Sequence, residues 1–348
     1  MRLGIDFGTT RTVVSLCDGG NHPIIQLEDG EGELHEGFPS VLASRDGELC
    51  FGFEALSHLH DPEWSVVPSF KRLLGAGNIA PLQLGTAEVS LFTAVEGFLR
   101  ALIVALRERS NLPAVLRDDP VIEAIIATPA HADSSQRFVT LEASRAAGFV
   151  VVGMMNEPSA AGVEYASRYR STFNSKRERV LVYDLGGGTF DASLVDMSSG
   201  RHDVVASAGL PQLGGDDFDA LLMEMTLAGA GLPLESLSAS SRVRLQLHCR
   251  EQKEGLHPNT RRLLMELGSI LSAAELLALG LSEDEAVIVR TDDYYQRCRP
   301  LIEQTLSAMA PLLDSSGADP LEGIAGLYVV GGGSSLPMVG RLLKEAFG

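Results

Sequence analysis

Two stretches, half a chain apart, carry the same design. Residues 3–18 read LGIDFGTTRTVVSLCD and residues 181–196 read LVYDLGGGTFDASLVD, and without gaps they agree at six of sixteen positions. Each is a short apolar run, an Asp, a Gly/Thr turn and an alternating second run. That is the pattern of a β-hairpin with an acid at its turn. Repeated at this distance, it predicts a duplicated fold with one glycine-floored hairpin per half.

The segments between and after the hairpins alternate in type. Residues 90–109 have apolar positions at helical spacing, residues 121–127 (VIEAIIA) read as a buried strand, and residues 134–147 read as a helix closed by Gly148. A short strand starts at Val150. Helices are expected over 216–228, 240–256 and 294–313, and a last strand over 326–330 runs into Gly331, Gly332 and Gly333. Strand and helix alternating in each half argue for α/β domains. The polar, mixed-charge segment 168–179 is the expected crossing between the halves.

Length and composition allow this and exclude other classes. The 348 residues, 45% of them hydrophobic, are enough for two packed cores. A formal charge of −18, from 46 acidic against 28 basic residues, repels phosphate backbones, so nonspecific binding to nucleic acid is not expected and no nucleic-acid partner is foreseen. A nucleotide must then be held by local backbone donors and a metal ion. Cys17, Cys50, Cys249 and Cys298 are far apart without a C-x-x-C pair and read as reduced, structural thiols. Asp6 falls too early for a signal peptide, and the most apolar helical stretch, 98–106, is short and interrupted by Arg100. No membrane association and a cytoplasmic location are expected.

The turns carry the chemistry. In the first, Asp6-Phe7-Gly8-Thr9-Thr10, Gly8 allows close approach of backbone to phosphate, and Thr9 and Thr10 offer hydroxyls and amides. Asp6 beside those donors is suited to a Mg²⁺ ion held through water, although so short a motif also reads as an ordinary hairpin turn. The second turn is more specific. Asp184 mirrors Asp6, and Gly186, Gly187 and Gly188 before Thr189 and Asp191 would present successive amides to phosphate oxygens. Asn156-Glu157-Pro158-Ser159-Ala160-Ala161-Gly162 reads as a helix start capped by Asn156, with Glu157 in reach of a metal-bound water. Gly331, Gly332, Gly333 and Ser334 form a strand-to-helix turn on which a flat base or ribose can lie. The eight histidines show no metal-ligand spacing.

In this order, these segments resemble the actin, hexokinase and DnaK superfamily. Asn156–Gly162 (NEPSAAG), LGGGTFD from Leu185, LGGDDFD from Leu213 and SFKRLLG from Ser69 resemble the nucleotide-binding domain of the heat-shock protein 70 (DnaK-type chaperone) family, over nearly the whole chain. The resemblance implies an α/β, actin-like ATPase (ribonuclease H-like) fold. Lobe I would be residues 1–172, with an inner subdomain of 1–37 and 111–172 and an outer one of 38–110. Lobe II would be 173–348, with an inner subdomain of 173–214 and 294–348 and an outer one of 215–293. It also implies ATP or ADP with Mg²⁺ as cofactors, the ion set through water by Asp6, Glu157 and Asp184. Thr9, Thr10 and residues 186–189 would bind phosphates, and Gly214 and Gly215 would complete the nucleotide site. Lys71 would place the attacking water, a role that nothing in its own spacing announces, and Asp191 would orient that water or its proton. Pro129 and Arg137 match a segment that relays nucleotide state. Lys253 would contact the ribose, and His257 lies near the expected adenine side.

Three departures accompany the resemblance. DnaK-type proteins continue past the position of Gly348 into a peptide-binding domain, and that domain is absent from these 348 residues. Glu254 stands where many members place a basic residue near the base, and Ser335 stands where an arginine often covers it. Each lost cation–π contact is worth about 0.5–2 kcal/mol, so weaker or differently shaped adenine binding is expected. The expected function is an ATP-driven, slowly hydrolysing switch read by a partner protein. A nucleotide-sensing module with negligible turnover, an actin- or MreB-like filament protein and a sugar kinase remain alternatives. Lys71 and LGGGTFD weigh against the filament, and no motif supplies the sugar kinase's carboxylate base.

Overall fold

Each echoed segment does form a hairpin at the heart of a sheet. A computed structural model describes residues 1–75, 81–85, 87–174, 177–198, 202–314 and 323–347. Residues 175 and 176 of the expected crossing, and Gly348, lie outside the described residues. Arg2–Phe7 and Arg11–Leu16 pair antiparallel in a five-stranded mixed sheet, ordered Val150–Asn156, Glu123–Thr128, Arg2–Phe7, Arg11–Leu16, Phe38–Pro39. The first three run parallel, in register from Arg2 opposite Glu123 to Asp6 opposite Ala127. Leu3, Ile5 and Phe7 alternate onto the buried face and leave Asp6 exposed on the other.

Two helices close that buried face. Leu91–Glu108 is capped by the Ser90 hydroxyl, which accepts the Thr93 N–H at 3.0 Å, and buries Leu91, Val95, Phe98, Leu99, Leu102 and Leu106. Ser134–Ala147 follows the strand Glu123–Thr128 and ends as expected at Gly148, whose φ of +117° is the left-handed stop that glycine supplies. A three-stranded sheet of Glu48–Phe51, Val41–Arg45 and Ser65–Pro68 has its own small core of Val41, Ala43, Cys50, Ala55 and Trp64.

The second hairpin belongs to a four-stranded sheet ordered Asp203–Leu210, Phe190–Asp196, Arg179–Leu185, Ile324–Val330. Its central strands are buried almost without interruption, from Val180 to Tyr183 and from Phe190 to Val195. The helices Gly215–Ala230, Ala239–Glu254 and Thr291–Asp314 surround a two-stranded hairpin, Arg262–Glu266 with Ala286–Arg290, whose Leu263, Met265, Val287 and Val289 face inward. The last helix is Pro337–Phe347.

The chain divides into two compact units: Met1–Val182 with Ser193–Ser207 and Gly323–Tyr328, and Tyr183–Ala192 with Ala208–Glu322 and Val329–Gly348. All four cysteines are free thiols, and burial pushes those of Cys50 and Cys298 up to about 12. Among the described residues, no helix is long and apolar enough to cross a membrane.

Candidate functional site

In the first unit the site is built around Lys71. Phe70 is fully buried against Phe7 and Phe98, with ring centroids 6.4 and 5.4 Å away, and this fixes where the next side chain goes. Lys71, only 7% exposed, donates to the carbonyl of Phe7, lies 5.0 Å from that residue's ring and stands 3.8 Å from Glu157 Oε1. An ammonium this dry needs such partners. Ser69 before it holds a φ of +55°, an unusual conformation for a residue with a Cβ, and a local strain of the kind found at functional sites.

The turn that Lys71 faces is held from below. Ser40 donates its hydroxyl to Gly8 O at 2.8 Å and its N–H to Thr10 O at 2.9 Å, and a Cβ on Gly8 would lie 2.4 Å from Arg11 O. Thr9 and Thr10 are half-buried. Asp6 is accessible to solvent, yet the protein around it strips enough hydration to raise its carboxyl above the usual range, with the Lys71 charge acting in the opposite direction.

Glu157 opens the helix Glu157–Arg168, with Pro158 in its first turn. Asn156 occupies the cap position, but its side chain does not cap the helix. Its Oδ1 instead accepts from Arg137 Nη2 at 3.0 Å. The same guanidinium reaches Thr128 Oγ1 at 2.9 Å, Pro129 O at 3.1 Å, Ala130 O at 3.3 Å and Ala132 O at 3.1 Å. One arginine therefore ties the turn after Glu123–Thr128 to the residue preceding Glu157. The bareness of Gly162 lets this helix press onto the strand Phe190–Asp196, where an added Cβ would lie 3.1 Å from Val195.

In the second unit three glycine segments meet. Gly186 closes the hairpin turn by donating to Thr189 O at 2.9 Å. Gly215 and Asp216 donate their amides to the carbonyls of Gly186 and Gly187 at 2.9 and 2.7 Å, so the start of the Gly215–Ala230 helix is pinned to the turn. A Cβ on Gly214 would lie 2.6 Å from the Gly187 backbone. Gly331, at φ +84°, lies against Asp184 and Leu185, Gly333 lies against Gly186 O, and the space above Gly332 is open. Asp191 is buried at 7% exposure, and Ser334 donates its hydroxyl to Val330 O at 2.6 Å.

Sequence reasoning did not foresee the charge cluster under this turn. Lys253 Nζ lies 2.6 Å from Asp219 Oδ1 and donates to Gly215 O at 2.8 Å. Arg250 lies 2.9 Å from Asp216 Oδ1 and 3.4 Å from Asp219 Oδ2. Burial raises the Asp219 carboxyl, while the charges of Lys253 and Arg250 work to lower it. The signal was there: 216 with 219 and 250 with 253 are three-residue spacings that put each pair on one helix face. His257 is exposed in the loop beyond, its N–H donating to Thr260 Oγ1 at 3.1 Å.

Each turn, taken by itself, suits an anion. Among the described residues, no protein group accepts the N–H of Gly187, Gly188 or Thr9, so each turn keeps donors for an anion. No group of three or more His, Cys, Asp or Glu side chains among the described residues is placed to hold a metal ion by itself.

Each of the two sheets carries an acid-and-glycine hairpin, an arrangement consistent with the actin-like ATPase fold. The model of the family described as Hsp70 protein matches residues 100–348. Over all of the chain, it is 32% identical to the chaperone protein HscA homologs of Laribacter hongkongensis and of Azoarcus sp. (strain BH72). Over 99% of it, the identity to the HscA homolog of Polynucleobacter necessarius is also 32%. The chain belongs to the Hsp70 family. It spans about half the length of these curated relatives, 54% of each.

Proposed function

We propose that this chain binds ATP with Mg²⁺ and hydrolyses it slowly, as the nucleotide switch of a chaperone-like protein. The observation that carries the reading is Lys71, a buried ammonium between the Phe7 carbonyl and the Glu157 carboxylate, beside a turn with an unused amide. Thr9, Thr10 and residues 186–189 bind the phosphate oxygens through amides and hydroxyls, with Gly214 and Gly215 behind them. Asp6, Glu157 and Asp184 orient waters around the ion, and Asp191 orients the attacking water. Mg²⁺, when bound, would neutralise phosphate charge. Lys71 offsets charge gathering on the γ-phosphate, in a step whose catalysis is mostly positioning and electrostatics.

Nucleotide state would be relayed from Glu157 through Asn156 and Arg137 to the Pro129 turn, and read by a partner protein. A polyanionic chain does not attract nucleic acid, and the setting proposed is the cytoplasm. Single-turnover hydrolysis of ATP by the wild type and by Lys71→Ala tests this. Turnover lost in the variant supports the switch, whereas equal background rates in both reduce the protein to a nucleotide sensor.

A further inference from the structure

Ser40 stands where the chain leaves one sheet for another. Phe38–Pro39 pairs with Arg11–Leu16 in the five-stranded sheet, and Val41–Arg45 pairs with Ser65–Pro68 in the three-stranded one. The single residue between them is fully buried and bonds in both directions. Its N–H donates to Thr10 O at 2.9 Å, and its carbonyl accepts at 3.0 Å the N–H of Ser69, two residues before Lys71. A buried hydroxyl also needs a partner. Gly8 O at 2.8 Å is that partner, since Thr12 Oγ1 lies farther off at 3.5 Å.

The hydroxyl bond fixes more than one oxygen. A trans peptide is planar, so its C=O and N–H point in opposite directions. The peptide between Gly8 and Thr9 turns its oxygen onto buried Ser40. Its N–H is therefore turned the other way, and this is the Thr9 amide that no protein group among the described residues accepts. Glycine is permissive in φ, so the residue that lets backbone approach a ligand also lets this peptide swing. The Ser40 hydroxyl removes that freedom. The preceding peptide is held by Lys71 on the Phe7 carbonyl and by Asp6 O, which accepts the Gly8 N–H at 3.0 Å. The bonds thus form a ring: Lys71 holds the turn, Ser40 holds the turn, and Ser40 holds Ser69, which leads into Lys71.

We propose that Ser40 is a positioning residue. Its hydroxyl aims the Thr9 amide at a phosphate oxygen of the nucleotide, and its carbonyl sets the start of the Lys71 segment against the same turn. This rests on the nucleotide reading above.

Titration calorimetry with Mg²⁺-ATP compares the wild type, Ser40→Ala and Ser40→Thr at a temperature where circular dichroism shows all three folded. In Ser40→Ala both main-chain bonds remain and only the hydroxyl goes. ATP affinity is expected to fall about tenfold, the worth of one aimed hydrogen bond to a charged group. Ser40→Thr, which keeps a hydroxyl, should recover to within about threefold of the wild type. Unchanged affinity in Ser40→Ala, or an equal loss in both variants, makes Ser40 a packing residue and overturns the inference while nucleotide binding stands. A second measurement needs no variant. In wild-type protein labelled with ¹⁵N-threonine, the Thr9 amide should exchange with solvent about tenfold more slowly once Mg²⁺-ATP is bound. Exchange unaltered by bound ATP overturns the inference even if Ser40→Ala does not fold. No ATP binding by the wild type overturns both readings.

Discussion

The Lys71 ammonium stands 3.8 Å from the Glu157 carboxylate and donates to the carbonyl of Phe7, the residue between Asp6 and Gly8. Buried Phe70 sets that position, so removing the charge need not disturb the fold. Lys71→Ala is expected to cut single-turnover ATP hydrolysis by roughly 10²–10³-fold, the usual cost of deleting one preorganised charge-stabilising donor. Quench-flow with labelled ATP measures it, and an unchanged ATP dissociation constant separates catalysis from binding.

Adjacent glycines should behave differently. Gly331→Ala forces a Cβ to within 2.4 Å of Asp184 Oδ1 at φ +84°, and should destabilise the protein by about 1–3 kcal/mol in urea unfolding. Gly332→Ala meets nothing within 4 Å and should leave stability unchanged. If a nucleotide lies on this turn, the same methyl occupies its space, and ATP affinity should fall by about tenfold or more.

Arg137 is a brace with five acceptors on two segments. Arg137→Ala should cost about 1–3 kcal/mol of stability, because it leaves half-buried carbonyls and Asn156 unpaired. Arg137→Lys should recover little, since an ammonium cannot reproduce the planar fork. Thermal unfolding of the three proteins checks the order.

Glu275 ties two helix starts together. It accepts from Ser272 Oγ and Ser241 Oγ at 2.7 Å each and from Ser238 N at 3.0 Å. Burial works to raise its carboxyl, but the hydrogen bonds from Ser241, Ser272 and Ser238 outweigh it and bring it down to about 2. Because the folded value lies below the ordinary 4.5, its stabilisation is present above 4.5 and is lost as pH falls towards 2. Discounted for solvent screening, that is about 1 kcal/mol. Urea midpoints from pH 6 to pH 2 should fall less steeply for Glu275→Gln than for the wild type.

Local signals in the sequence were sufficient where the structure answers to local physics. The Ser134–Ala147 helix runs between Asp133, whose side chain accepts the Gln136 N–H, and left-handed Gly148, and both ends are legible as caps. Both hairpins are marked by an acid and glycine at the turn, but only Arg11–Leu16 alternates as expected, whereas Phe190–Asp196 is buried on both faces. The strand Glu123–Thr128 starts two residues later than its apolar run, because Val121 lies outside the pairing with Arg2–Phe7. The small sheet of residues 41–68 was not foreseen, since its short runs gain their meaning from partners distant in sequence. Asn156 could be placed at a cap, but Arg137's claim on its oxygen could not. Lys253 was assigned to ribose by resemblance, and its engagement by Asp219 emerges only when two helices pack.

The proposed function assigns each hairpin acid, Asp6 and Asp184, a part in binding magnesium-chelated ATP. Its most direct measurement is calorimetric titration of ATP, with and without Mg²⁺, into the wild type, Asp6→Asn and Asp184→Asn. Binding to the wild type is expected to depend on Mg²⁺ and to weaken about tenfold or more with either substitution. Affinity indifferent to Mg²⁺, or unchanged in either variant, would contradict it.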